Sequence, residues 1–205
     1  MTEPYVINLD RRTERWEWMQ ETWKGIFKLT RVSAIETTPG GVGCSLSHIK
    51  VVEEAKARGD PCVLVWEDDC KPRRHPRVVK ALWDEVLPQL MKHSEKWDVV
   101  LGATSRVRMG ATKNIDLSTK NVGVYDLPHG FTTHWTLYNS SAYDTLIKWK
   151  DVREPQNDIY LFQKFRVKVV VPFLADQRIG FSDLTIKEED YQAWFDSAES
   201  EIMSI

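Results

Sequence analysis

The chain has no apolar run approaching the roughly 18 residues needed to span a bilayer, and it passes from Thr2 straight into a short strand-like segment. Neither a membrane span nor a secretory leader is expected. Cysteine is scarce: the 3 present, Cys44, Cys62 and Cys70, lie in or near one strand-like run without the paired spacing of a zinc site. They read as reduced thiols, which fits a cytoplasmic location. Charge of one sign is missing as well, with 28 Lys and Arg against 30 Asp and Glu and a net charge of −2. That balance excludes the basic field that gathers nucleic acid. There is no glycine-rich phosphate loop followed by lysine, no internal repeat and no low-complexity linker.

What is present is enough apolar sequence, 42% of 205 residues, to bury a sizeable core in one domain spanning 1–205. Strand-like segments alternate with helical ones. Tyr5 to Leu9 is a short β-prone run, Trp16, Met19 and Trp23 recur at helical spacing, and a second strand is expected around Phe27 to Val32. Ser45 or Ser47 is expected to cap a helix carrying Leu46, Ile49, Val52 and Ala55 on one face and ending at Gly59-Asp60-Pro61. Cys62 to Trp66 is a continuous apolar run, the mark of a strand buried on both faces of a parallel sheet. A helix from Val78 to Leu90 and a strand from Trp97 to Leu101 follow. The second half is less regular: strands at Val122 to Tyr125, Phe131 to Tyr138 and Val167 to Val171, helices at Ser140 to Trp149 and Asn157 to Phe165, and an acidic helix from Glu188 onward. The expected fold is α/β, a Rossmann-like, mostly parallel sheet flanked by helices, with a regular half at 1–101 and a looser one at 102–205.

The chemistry concentrates at Glu67-Asp68-Asp69. Three carboxylates directly after a buried strand fall at its carboxyl edge, where open α/β sheets form their ligand crevices. A hard cation with oxygen ligands, Mn²⁺ or Mg²⁺, can bridge such carboxylates to the adjacent phosphates of a nucleotide-diphosphate sugar and assist the departing diphosphate. A solvated acidic turn is the bland alternative, and the buried strand before it argues against that reading.

With these residues in view, the sequence resembles glycosyltransferase family 25, which includes lipooligosaccharide sugar transferases and collagen galactosyltransferases. Val6-Ile7-Asn8-Leu9-Asp10-Arg11 with Thr13-Glu14-Arg15 is similar to the family's opening strand and nucleotide-binding turn, Gly43-Cys44-Ser45-Leu46-Ser47-His48 to its second motif, and Val63 to Asp69 to its acidic motif. Weaker echoes follow at Thr133 to Tyr138, at Pro155 to Asp158, and at Gln177 through Ser182-Asp183. Trp66 departs from the family's usual aliphatic residue. The resemblance implies a glycosyltransferase A-type fold, with a nucleotide-sugar half at 1–101 and an acceptor-side half at 102–205. It also implies a UDP-linked donor, Mn²⁺ or Mg²⁺, a glycan or glycoprotein acceptor, and transfer with inversion. Carried over, Asp69 is the metal ligand, Glu67 its neighbour on the metal or on metal-bound water, and Asp68 a ribose contact.

Around that cluster, Asn8, Leu9 and Asp10 are placed to line base and ribose, and Arg15 to reach phosphate. Arg12 is expected on the solvated face of the first helix. Ser47 and His48 suit either a helix start beside the donor or a plain cap with a hydrogen-bonded histidine. His134 reads as a packed histidine. For the general base that inversion needs, Asp158 is the candidate through the family's late turn, against an N-cap reading on local grounds. Asp183 is the second choice and an alternative metal ligand. Trp135, in the acceptor half, is the tryptophan assigned to sugar. Two other classes stay open: a different nucleotide-sugar enzyme, such as a nucleotidyltransferase, and a catalytically silent sugar-binding scaffold.

Overall fold

A computed structural model describes residues 2–107, 110–152 and 157–205. The first half runs β1 (Tyr5–Asn8), α1 (Thr13–Thr22), β2 (Thr30–Ser33), α2 (Gly40–Arg58), β3 (Cys62–Glu67), β4 (Cys70–Pro72), α3 (Pro76–Lys92) and β5 (Val99–Leu101). The second runs β6 (Thr112–Lys113), β7 (Gly123–Asp126), β8 (Trp135–Asn139), α4 (Ser140–Ile147), α5 (Trp149–Val152), α6 (Asn157–Lys164), β9 (Val167–Val171), β10 (Ala175–Gln177), β11 (Gly180–Ser182), β12 (Lys187–Glu189) and α7 (Gln192–Met203).

One large sheet, in the order β2-β1-β3-β8-β5-β9-β7-β6, forms the middle layer. All its strands but β7 and β8 run the same way, so the sheet is mostly parallel in direction. Strand alternation sorts the core into two layers. Val63 and Val65 of β3 pack with Ile49, Val52 and Ala55 of α2, while Leu64 and Trp66 pack with Met19 of α1 and Trp83 of α3. Helices therefore cover both faces.

Three expectations shift. The strand Cys62 to Trp66 has a parallel neighbour, β1, on one side only; β8 lies antiparallel on the other. An apolar run records burial of both faces and says nothing of neighbour direction. The helix assigned a cap at Ser45 or Ser47 begins at Gly40 instead. Both serines lie inside it and bond back to carbonyls one turn earlier, Ser45 Oγ to Gly41 O at 2.9 Å and Ser47 Oγ to Gly43 O at 2.7 Å. Gly43 is required there, because a Cβ would come within 2.3 Å of Ile35 O. Thirdly, the segment after Lys187 is first a short hairpin strand, and the helix starts at Gln192.

Candidate functional site

The parallel register of β1 and β3 pairs Ile7 with Glu67 and so sets Asn8 beside Asp68 at the strands' carboxyl ends. Asn8 is buried and its amide fully committed: Nδ2 donates to Asp68 Oδ2 at 2.7 Å and to Arg12 O at 3.0 Å, and Oδ1 accepts from Arg31 Nε at 2.8 Å. Arg15 holds the other Asp68 oxygen, Nη1 to Oδ1 at 2.6 Å, and donates through Nη2 to Phe181 O at 2.6 Å. Burial raises the Asp68 carboxyl above its usual value, against the pull of Arg15 and Asn8.

Because Val63, Val65 and Glu67 share a face of β3, Glu67 points toward α2. Its Oε1 accepts from Thr133 Oγ1 at 2.8 Å and lies 3.5 Å from His48 Nε2, whose ring is anchored through Nδ1 by the Tyr138 hydroxyl at 2.9 Å. Burial would raise Glu67; His48 and Thr133 together bring it below the usual carboxylate range. Cys44, His48 and Glu67 bring one ligand atom each within 4.8 Å of one another. The Cys44 thiol, however, is pushed well up, by burial first and then by the charges of Glu67 and Asp69.

Asp69 differs from both neighbours. Among the described residues, its Oδ2 accepts only a long contact from Gln177 Nε2 at 3.2 Å, and its Oδ1 is enclosed with no donor. Burial, and then the charges of Glu67 and Asp68, push its carboxyl up to about 8.

These groups form one wall of a cleft of about 570 Å³. Of the residues singled out in the sequence, Leu9, Arg15, Ser47, Glu67, Asp68, Asp69, Asp158 and Asp183 line it. Asn8 and His48 sit behind the lining and act through Asp68 and Glu67. Asp10 is corrected: it lies outside the lining, largely exposed, with Oδ1 bonded to Arg31 Nη2 and Ser33 Oγ, each at 2.8 Å. Two residues past the strand end, its side chain has turned toward β2. Ser47 is neither cap nor phosphate ligand here, since its hydroxyl accepts from Ile35 N at 2.7 Å and fastens the loop after β2 to α2.

Asp158 opens α6, and its Oδ1 accepts from Ile159 N at 2.8 Å; burial raises its carboxyl. Pro155 and Gln156 of the same turn lie outside the described residues. Asp183 is gripped by Arg11 Nη2 at 2.8 Å and Arg12 Nε at 2.9 Å. Burial would raise it too, but the two guanidiniums hold it below its usual value. Arg12 is accordingly half-buried against Asp183, not on a solvated face. Trp135 is corrected as well, being 1% exposed and packed 4.3 Å from Trp66. His134 is packed as expected, buried and donating through Nε2 to Ala175 O at 3.3 Å.

Sequence reasoning missed several lining residues. Tyr191 and Trp194, 5.2 Å apart, stand at the cleft with Trp194 43% exposed. Arg106 lies 3.8 Å from the Trp194 ring and Arg178 4.8 Å from that of Trp18, and neither guanidinium has a carboxylate partner among the described residues. Gln177 and Thr133 had appeared only at the edges of weak echoes.

No family model and no curated protein matches the chain. Among solved structures it is similar to A197 from STIV, with a TM-score of 0.49 and 13% identity over 92% of this chain and 93% of that one. It is also similar to 4-diphosphocytidyl-2C-methyl-D-erythritol synthase from Anaerococcus prevotii, with a TM-score of 0.48 and 13% identity over 99% of this chain and 79% of that one. Among the described residues, no helix is long and apolar enough to cross a membrane.

Proposed function

We propose that the chain is a metal-dependent glycosyltransferase of the A type, moving a sugar from a UDP-linked donor to a glycan or glycoprotein acceptor with inversion. The observation that carries this reading is Asp69 Oδ1, an enclosed carboxylate oxygen without a donor among the described residues, on a side chain that lines the cleft directly after two further carboxylates in the chain. Such an atom asks for positive charge. Hard oxygen donors suit Mn²⁺ or Mg²⁺, and Asp69 with Glu67 would hold the ion. When bound, it would neutralise charge on the diphosphate that leaves.

The chain's own groups do the rest. Asp68 is oriented by Asn8 and Arg15 yet keeps lone pairs to accept from ribose hydroxyls. The first turn of α2, Gly40 and Gly41, meets the cleft with the N–H groups that every helix start leaves unpaired. Arg106 and Arg178 supply planar cations free for an anionic ligand. Asp158, with its carboxyl raised, is suited to take the proton from the acceptor hydroxyl as that oxygen attacks the anomeric carbon and the nucleoside diphosphate departs. Tyr191 and Trp194 offer ring faces to a sugar.

The test is a thermal-shift panel of UDP, GDP and CMP sugars with and without Mn²⁺. A UDP sugar with Mn²⁺ should stabilise most, by about 2.7 kcal/mol at a hundredfold excess over Kd, and folded Asp69→Asn should lose that gain. Preference for another base removes the UDP assignment; unchanged Mn²⁺ dependence in Asp69→Asn removes the metal site. Slow release of free UDP from the donor separates a transferase from a silent scaffold.

A further inference from the structure

Gln177 ends β10, and the antiparallel register with β4 sets it opposite Cys70, next in chain to Asp69. The backbone is tied on both sides. Arg178 N donates to Asp69 O at 2.7 Å, and Gln192 Nε2 donates to Gln177 O at 3.0 Å. The Gln177 amide is thus kept against Asp69, yet it satisfies that carboxylate poorly, with one contact of 3.2 Å. Two oxygens are left over. Asp69 Oδ1 and Gln177 Oε1 are each enclosed by protein without a donor, on two touching side chains that both line the cleft.

Buried acceptors are nearly always paired. Two on touching side chains, with no donor for either among the described residues, suit one shared partner, a positive centre that prefers oxygen. Resting on the cation reading above, we propose that Gln177 is a ligand of that cation, its side-chain carbonyl joining the Asp69 carboxylate on a hard divalent ion such as Mn²⁺. Amide carbonyls are ordinary ligands for hard cations. A neutral ligand suits this place, because Glu67, Asp68 and Asp69 already bring three carboxylates to the cleft. A fourth carboxylate would add like-charge repulsion before any ion is bound. The competing occupant is a water that donates one hydrogen to each oxygen.

The two are separated by Mn²⁺ titration of the chelator-stripped full chain, alone and with UDP, read by the electron paramagnetic resonance of free Mn²⁺ and by thermal shift. Gln177→Ala should weaken Mn²⁺ binding at least about tenfold. Gln177→Glu should lower the metal-free melting temperature, through repulsion with Asp69, and bind Mn²⁺ as tightly as the wild type or tighter, so that the metal restores the loss. Unchanged Mn²⁺ affinity in Gln177→Ala, or a Gln177→Glu protein whose lost stability Mn²⁺ does not return, would assign the position to water and overturn the proposal. Should Gln177→Ala fail to fold, Gln177→Glu decides alone. A wild type that binds Mn²⁺ with an unaffected alanine variant removes only Gln177; a wild type that binds none, with or without UDP, removes the cation reading too.

Discussion

Asp158 carries two demands on one carboxylate, and they can be measured apart. Its Oδ1 accepts from Ile159 N in the first turn of α6, and its raised carboxyl lines the cleft, where we assign it as the base. Asparagine keeps a side-chain oxygen that can accept the same Ile159 N–H, so Asp158→Asn should leave the melting temperature nearly unchanged. Transfer to acceptor should fall by about 10²–10⁴-fold with UDP and Mn²⁺ binding retained. Near-normal turnover in the folded variant would withdraw the base assignment. The acidic triplet was legible in the sequence because its members are consecutive and follow a strand. Thr133, Gln177 and Arg106 were not, since nothing local marks a residue whose partner lies across the fold. Trp135 misled for the same reason: a tryptophan in a strand looks alike whether it faces a sugar or Trp66.

Among the elements, Asp98 clasps three of them just before β5. Its oxygens accept from Arg166 N, Nε and Nη2 ahead of β9, at 2.9, 2.9 and 2.8 Å, and from Ser141 Oγ of α4 at 2.8 Å. Burial alone would raise this carboxyl; the Arg166 and Ser141 bonds hold it down at about 2. A folded value below the unfolded one means stability that is present above pH ~4 and lost as pH falls toward about 2. Urea unfolding across that range should show Asp98→Asn less stable than wild type at neutral pH, with the gap closing in acid. A gap that stays constant would show that the ionised form contributes nothing. One strand away, a Cβ on Gly102 would come within 2.4 Å of Trp135 Cγ. Gly102→Ala should therefore cost about 1–3 kcal/mol by overpacking, read from the same unfolding curves; a neutral substitution would mean that the tryptophan layer can shift.

Across the whole molecule, the β11–β12 hairpin from the late half is fastened to the first half beside the cleft. Arg11 and Arg12 hold Asp183, and Arg15 and Arg12 reach Phe181 O. A carboxylate clamped by two guanidiniums is a poor base and a good fastener. Asp183→Ala should raise the donor KM several-fold with kcat little changed, and should speed proteolysis within residues 180–189. Its melting temperature should move little, because half-exposed ion pairs contribute about 0–1 kcal/mol. A hundredfold loss in kcat at constant KM would instead return Asp183 to the chemistry.

The sequence by itself determined the α/β alternation, the helices on both faces, the strand that ends in carboxylates and the positions of most regular elements, because these depend on periodicity and neighbours along the chain. The tertiary structure decided which strands pair, that β8 enters antiparallel beside β3, and where α2 begins. It also decided the state of each carboxylate. Glu67 accepts from Thr133 through Oε1 and faces His48, Asp68 is held by Asn8 and Arg15, and Asp69 is left with an oxygen that no described residue bonds. Three consecutive acidic residues differ this way because alternation along a strand end aims them at different walls, and each wall is built from chain tens to more than a hundred residues distant.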